Sequence, residues 1–216
     1  MPKITSPTTF LRYFDSFLIE KPPTHSHFQV RFSDEKRFLI YNDGPLGVWR
    51  KDDDRFKQKF VRGTVKNRMG VMAWLCISAD GQSRLVRCPE RVDSESYQRD
   101  ILAPNMRFIK HRHIVFMQDG ASCHTSRSTM AYLQSHSVTV LTPWPAMSPD
   151  LNPVEHCWAW LAKQMIGQHF TSADALWAGL QATWATVPPT LIPALYGSMV
   201  RRLTAVQVAR GGHTRY

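Results

Sequence analysis

The sequence predicts an α/β domain, a sheet with helices packed on its faces. Three observations carry that prediction. Three short strand-like segments follow one another between residues 28 and 78. A continuous apolar run, Ile114 to Met117, has the character of a strand buried on both faces. From there helical and strand-like patterns alternate, which is the order that lays helices over a sheet.

Taken in order, residues 1–27 mix Pro2, Pro7, Pro22 and Pro23 with one apolar stretch, FLRYFDSFLIE, that suits a short helix. They are a poorly specified lead-in to a domain over 28–216. From Phe28 the pattern alternates: Phe28, Val30 and Phe32 share one face, and Asp34 continues on it at the strand's end. A second strand is predicted over RFLIYN and a third over GVMAWLCIS, closed by the turn signal Ala79-Asp80-Gly81, with another over SRLVRC. SESYQRDILAP reads as helical, HIVFMQDG as a buried strand ending in Asp119, residues 126–135 as a helix, Val138 to Leu141 as a strand, and TPWPAMSP as a loop. The next helix has the clearest start, with Asn152 as cap, Pro153 in the first turn and Glu155 third. Val154, Trp158, Leu161 and Met165 form its apolar face, with Glu155 about a quarter turn from the centre of that face. A Thr171-x-x-Asp174 cap opens a helix with Leu176, Leu180 and Trp184 in register. A last helix runs from about Leu191 to Val208, before Gly211-Gly212.

Composition limits the function. At 216 residues and 43% hydrophobic content the chain is long enough for one sizeable core. Its 27 Lys plus Arg against 17 Asp plus Glu give a net charge of +10, which suits a polyanion. No apolar run approaches the roughly 20 residues of a membrane span, and the N-terminus lacks a signal-peptide core, so a membrane partner is not expected. Cys76, Cys88, Cys123 and Cys157 make no Cys-x-x-Cys pair, which predicts reduced thiols in an intracellular protein. The His25/His27 and His111/His113 pairs read as surface chemistry, and Asp52-Asp53-Asp54 as a surface turn.

Asp34, Asp119 and Glu155 are the candidate site. Divalent-metal chemistry on a phosphodiester needs carboxylates from separate elements converging on a hard cation. Two strand ends and a helix start can supply them. Each acid also has a plainer reading. Asp34 is equally a solvated strand end, Asp119-Gly120 is a turn signal, and Glu155 fits a capping box that reaches back to the Asn152 amide.

FSDEKRF at 32–38, VFMQDGASCHTS at 115–126 and WPAMSPDLNPVEHCWAWL at 144–161 resemble, in order, the three catalytic blocks of the Tc/mariner-like transposases of the DDE superfamily. GVMAWLCIS and the closing ARGGHTRY are also similar to that family, and the resemblance covers roughly 28–216. It implies an RNase H-like fold, a mixed five-stranded sheet flanked by helices. It also implies a Mg²⁺-dependent DNA endonuclease, with Mn²⁺ as a substitute, that cleaves transposon ends and joins the freed 3′-hydroxyl to target DNA. Asp34, Asp119 and Glu155 match the family's catalytic, metal-binding acids. Of the two acids in the third block, Glu155 takes the catalytic position and Asp150 shapes the loop. DNA as partner, a homodimer in a synaptic complex and a nuclear site of action follow from the same resemblance.

Three departures qualify it. Gly120 stands where the family usually has Asn, removing an amide from the site. Between Asp119 and Glu155 lie 35 residues, one more than the commonest spacing, with Pro143 placed to absorb the extra one. Nothing in 1–27 supplies the paired helix-turn-helix units that read inverted repeats, which predicts a truncated chain with only weak, salt-sensitive DNA binding. Two rival readings are a catalytically silent or domesticated nucleic-acid-binding remnant and an RNase H acting on RNA:DNA hybrids. Arg31, Lys36, Arg37, Lys110, His111, Arg112, His113, Arg201, Arg202, Arg210 and Arg215 are candidate phosphate contacts. Trp144, Trp158, Trp160 and Trp184 read first as core residues and second as stacking platforms.

Overall fold

The computed structural model describes residues 30–40, 69–111, 113–142, 144–145, 148–210, 214 and 216. The expectations for the lead-in, the His25/His27 pair, the acidic run at 52–54, Arg112, Pro143, Gly211-Gly212 and Arg215 lie outside them. Five strands, β1 (Val30–Leu39), β2 (Gly70–Ile77), β3 (Ser83–Arg87), β4 (Val115–Met117) and β5 (Thr139–Val140), form one sheet in the order β3-β2-β1-β4-β5. β1 to β3 make an antiparallel meander, while β4 and β5 join parallel to β1. Gly81, at φ +85°, turns the chain between β2 and β3 where only glycine adopts the conformation without strain.

One strand replaces the two expected over 28–42. The ladder to β2 runs unbroken from Phe32 opposite Ile77 to Leu39 opposite Gly70, so Asp34 lies mid-strand rather than at a strand end. The polar run Ser33 to Arg37 resembles a break, but a ladder is made by backbone groups and tolerates polar side chains that find a partner, as Ser33 does on the Met117 carbonyl, or that border open space. That space exists because β4 pairs only with Val30 to Phe32 and stops at Met117, while β1 continues.

Alternation divides the sheet's residues between two cores. Phe32, Phe38, Leu75, Ile77 and Met117 pack with Val154, Trp158, Leu161, Leu180 and Tyr196 on one face. Trp74, Cys76 and Phe116 pack with Tyr97, Ile101, Phe108 and Leu133 on the other. The second face is covered by α1 (Ser94–Ser96), which runs through a π-helical stretch (Tyr97–Leu102) into α2 (Ala103–Ile109). The wide turn, with the Ala103 N–H on the Gln98 carbonyl, falls directly before Pro104, whose missing N–H interrupts the ordinary helical ladder. α3 (Ser122–Thr125) and α4 (Arg127–Ser135) follow β4, and a 3₁₀ turn (Pro149–Leu151) leads into α5 (Val154–Gln164).

α5 buries Val154, Cys157, Trp158 and Leu161, as its 3–4 residue spacing predicts. α6 (Ala173–Trp184) buries Leu176, Leu180 and Trp184 as expected, although its cap is Ser172, accepting from the Ala175 N–H, in place of Thr171. The last predicted helix divides at Ser198 into α7 (Leu191–Gly197) and α8 (Met199–Val208). All four cysteines are free. Among the described residues no helix is long and apolar enough to cross a membrane.

Candidate active site

Where β4 ends and β1 continues, a cleft of about 350 Å³ opens, lined by Asp34, Asp119 and Glu155 together with Gly120, Trp144 and Asn152. The three predicted acids thus meet in one place, from the middle of β1, the turn two residues past β4, and the second residue of α5. Ligand sites in open α/β sheets gather beyond the carboxyl ends of parallel strands, which is where β1 and β4 direct them.

Asp34 is held from beneath. Its Oδ2 accepts a 2.9 Å hydrogen bond from the indole Nε1–H of Trp158, a ring otherwise buried edge-on against Phe38. Burial, followed by the charges of Glu155 and Glu35, pushes the Asp34 carboxyl up to about 7, against the opposing pull of the Trp158 bond.

Asp119 has the opposite environment. Its Oδ1 accepts from the Ala121 N–H at 2.9 Å and lies 2.5 Å from His124 Nδ1. The His124 bond, opposed by burial and aided by the Ala121 amide, holds this carboxyl below its usual range. His124 is itself buried, and burial alone would lower its pKa. The hydrogen bond to Asp119 and the nearby Glu35 outweigh that and raise it to about 10, so the imidazole is a cation between two carboxylates. Its Nε2 stands 3.2 Å from Glu35 Oε1, an ion-pair separation without hydrogen-bond alignment. Tyr97 lies against the His124 ring at 4.3 Å, and Gln118 Nε2 donates to the His124 carbonyl at 3.0 Å.

Glu155 is placed by Asn152. The Asn152 Oδ1 accepts from the Val154 N–H and its Nδ2 donates to the Ser33 carbonyl, both at 3.1 Å, so one side chain caps α5 and ties it to β1 beside Asp34. The Asn152 N–H donates to the Pro149 carbonyl at 3.1 Å, so the amide that a capping box would offer Glu155 already has a partner.

The remaining expectations divide. Arg31 is 7% exposed, lies over the Phe108 ring at 4.4 Å and belongs to the sheet face opposite Asp34, and Arg202 is 1% exposed and bonded within the protein. Neither is a phosphate contact, because each guanidinium is buried away from solvent. Arg37, Lys110, His111, His113, Arg201 and Arg210 remain exposed. Trp158 and Trp184 are core residues, Trp160 packs edge-on against Trp184, and Trp144 lines the cleft. The sequence reading did not single out His124 and Glu35. The signal was present in the second block, since a His five residues past Asp119 on a short helix folds back onto it.

A five-stranded mixed sheet with carboxylates gathered beside the middle of β1, just past the end of β4 and at the start of α5 is the arrangement of an RNase H-like endonuclease. The chain belongs to the DDE superfamily endonucleases, whose family description matches residues 29–177. The Tcb1 transposase of Caenorhabditis briggsae and the Tc1 transposase of Caenorhabditis elegans are each 35% identical over 191 residues, 86% of this chain and 69% of theirs. In fold it resembles the crystal structure of the catalytic domain of the Mos1 mariner transposase, from Drosophila mauritiana, at a TM-score of 0.70 and 19% identity, with 97% of this chain and 94% of that one covered. The chain spans about 62% of the Mos1 chain in its paired-end complex with the left transposon end.

Proposed function

We propose that this chain is the catalytic part of a cut-and-paste DNA transposase, cleaving phosphodiesters at transposon ends and joining the freed 3′-hydroxyl to target DNA. The convergence of Asp34, Asp119 and Glu155 on one cleft carries this reading. Mos1 has been solved as a paired-end complex with Mn and as a strand transfer complex, which supports DNA as partner and a divalent cation as cofactor. Action as a homodimer in a synaptic complex, in the nucleus, extends the same reading.

The donor set suits Mg²⁺ or Mn²⁺, since all three side chains offer carboxylate oxygens and Asp34 and Glu155 repel one another without a cation between them. Among the described residues no three such groups stand close enough to hold an ion as placed, so the acids must draw together around it. Asp34, Asp119 and Glu155 would hold the cations. Cations held there would supply activation of the attacking oxygen and charge stabilisation of the leaving one for an in-line displacement.

The protein's own contribution is orientation and charge. Trp158 fixes one oxygen of Asp34 and leaves the other to the cleft. His124 and the Ala121 amide share Asp119 Oδ1, fixing the carboxylate plane and keeping it ionised. Asn152 sets the distance between Glu155's helix and β1. Trp144, edge-on to Phe32, walls the cleft beside the acids. A nicking assay on duplex DNA with Mg²⁺ or Mn²⁺, with an Asp119→Ala control and an RNA:DNA hybrid as second substrate, tests the reading. Duplex nicking that needs metal and is lost in the variant is expected. Cleavage indifferent to both, or confined to hybrid, would sink it.

A further inference from the structure

Arg202 is a charged side chain 1% exposed in the core, and among the described residues it has no ion-pair partner. Removing a guanidinium from water is costly, and a buried charge is poorly explained by stability alone. The directions of its bonds explain it better. Nε donates to Ser198 Oγ, at the start of α8, at 2.9 Å, while Nη1 donates to the Asp150 carbonyl at 2.9 Å and Nη2 meets His156 Nδ1 at 3.1 Å. The Tyr216 ring lies against the guanidinium at 4.9 Å, and the Thr214 hydroxyl donates to Asp150 Oδ2 at 2.9 Å. Asp150 sits on the 3₁₀ turn that leads into α5, and His156 directly follows Glu155.

The geometry points to Arg202, with Thr214 and Tyr216, as a brace that positions Glu155 by holding the segment from Asp150 to His156 at both ends. A turn and the first residues of a helix are ordinarily where a helix frays. Here Asn152 ties the segment to β1 on one side, and Arg202 ties it to α8 and to Thr214 and Tyr216 on the other. A planar fork reaches two acceptors at fixed separation, which a lysine ammonium cannot do. Arg202 is thus a positioning residue: it touches the loop carbonyl and the neighbouring histidine, and acts on the cleft only through them. The inference rests on the reading of Glu155 as a metal ligand.

Two mild variants of the full chain, Arg202→Lys and Thr214→Val, test it at temperatures where both remain folded. Hydrogen exchange at the amides of residues 151–156 should rise about tenfold while exchange in β2 stays within about twofold. Mn²⁺ affinity, read by calorimetry without DNA, should weaken by about tenfold in Arg202→Lys, the usual cost of losing a group that orients a ligand. Exchange at 151–156 that rises no more than in β2 overturns the brace, as does unchanged Mn²⁺ affinity once the segment has loosened. If the unsubstituted chain binds no Mn²⁺, the proposed function falls, while the exchange comparison still decides whether the brace exists.

Discussion

Asp34→Asn removes the charge most opposed by the fold, and its effect can be worked from the carboxyl's surroundings. The rise from the usual 3.8 to about 7 spans roughly three decades of proton affinity, each worth about 1.36 kcal/mol, or about 4 kcal/mol in all. Water entering the cleft and movement of the side chains reduce this, and about 2 kcal/mol is a reasonable remainder. The sign follows from proton counts. Below pH 3.8 both folded and unfolded chains hold the proton, and Asp34 has no effect on stability. Between 3.8 and 7 the unfolded chain releases it first, so stability falls as pH rises, and above 7 the full cost is present. Asparagine is neutral at every pH and keeps an oxygen for the Trp158 N–H. In EDTA, thermal unfolding at pH 9 should show Asp34→Asn melting roughly 4–8 °C above the parent for a chain of this length, and by clearly less at pH 5. Millimolar Mn²⁺ should raise the parent's Tm and leave the variant's unchanged, because binding to the folded state alone stabilises it. A variant no more stable than the parent at pH 9, or one with an equal gain at both pH values, would refute the electrostatic account of Asp34.

Three further outcomes are expected. A histidine raised to about 10 contributes stability that is fully present below the usual 6.5 and lost as pH climbs through 10, so the Tm gap between parent and His124→Gln should narrow from pH 6.5 to 10.5; a constant gap would remove His124's charge from the argument. Gly120 lines the cleft, its backbone is outside the left-handed region, and an added Cβ meets nothing within 4 Å. Gly120→Asn should therefore fold normally and return an amide to the site, raising the nicking kcat severalfold, on the order of one neutral hydrogen bond, and an unchanged kcat would show that the amide has no role here. Duplex DNA binding, measured by anisotropy between 50 and 200 mM salt, should fall by about tenfold or more as expected for phosphate contacts alone, and salt-independent binding would contradict a role for the exposed arginines and lysines.

How much of this was legible in the sequence depends on whether a signal was local. The period of 3–4 residues in Val154, Trp158 and Leu161 and the alternation around Phe32 reflect which side faces the core, and both appear in the structure where the pattern placed them. The end of a strand is different. Ser33 to Arg37 carries the polarity of a turn, and only the pairing with residues 70 to 77, far along the chain, keeps it extended. The same feature that hid the strand makes the cleft: polar residues are tolerated in β1 because β4 leaves their flank open.

The site shows a similar division between what a residue is and what it touches. The acids could be nominated from three motifs, but spacing could not separate Glu155 from a capping residue, and it was the occupied Asn152 amide that removed the alternative. Arg201 and Arg202 are indistinguishable by composition and by motif. Successive residues on a helix point about 100° apart, which sends one guanidinium to solvent and the other under the turn that precedes Glu155, where its partners lie 46 and 52 residues away in sequence. A rule that places charges outside is right for the first and wrong for the second. The exception falls at the 3₁₀ turn preceding Glu155, which Asn152 ties to β1 on one side and the residue that breaks the rule ties to α8 on the other.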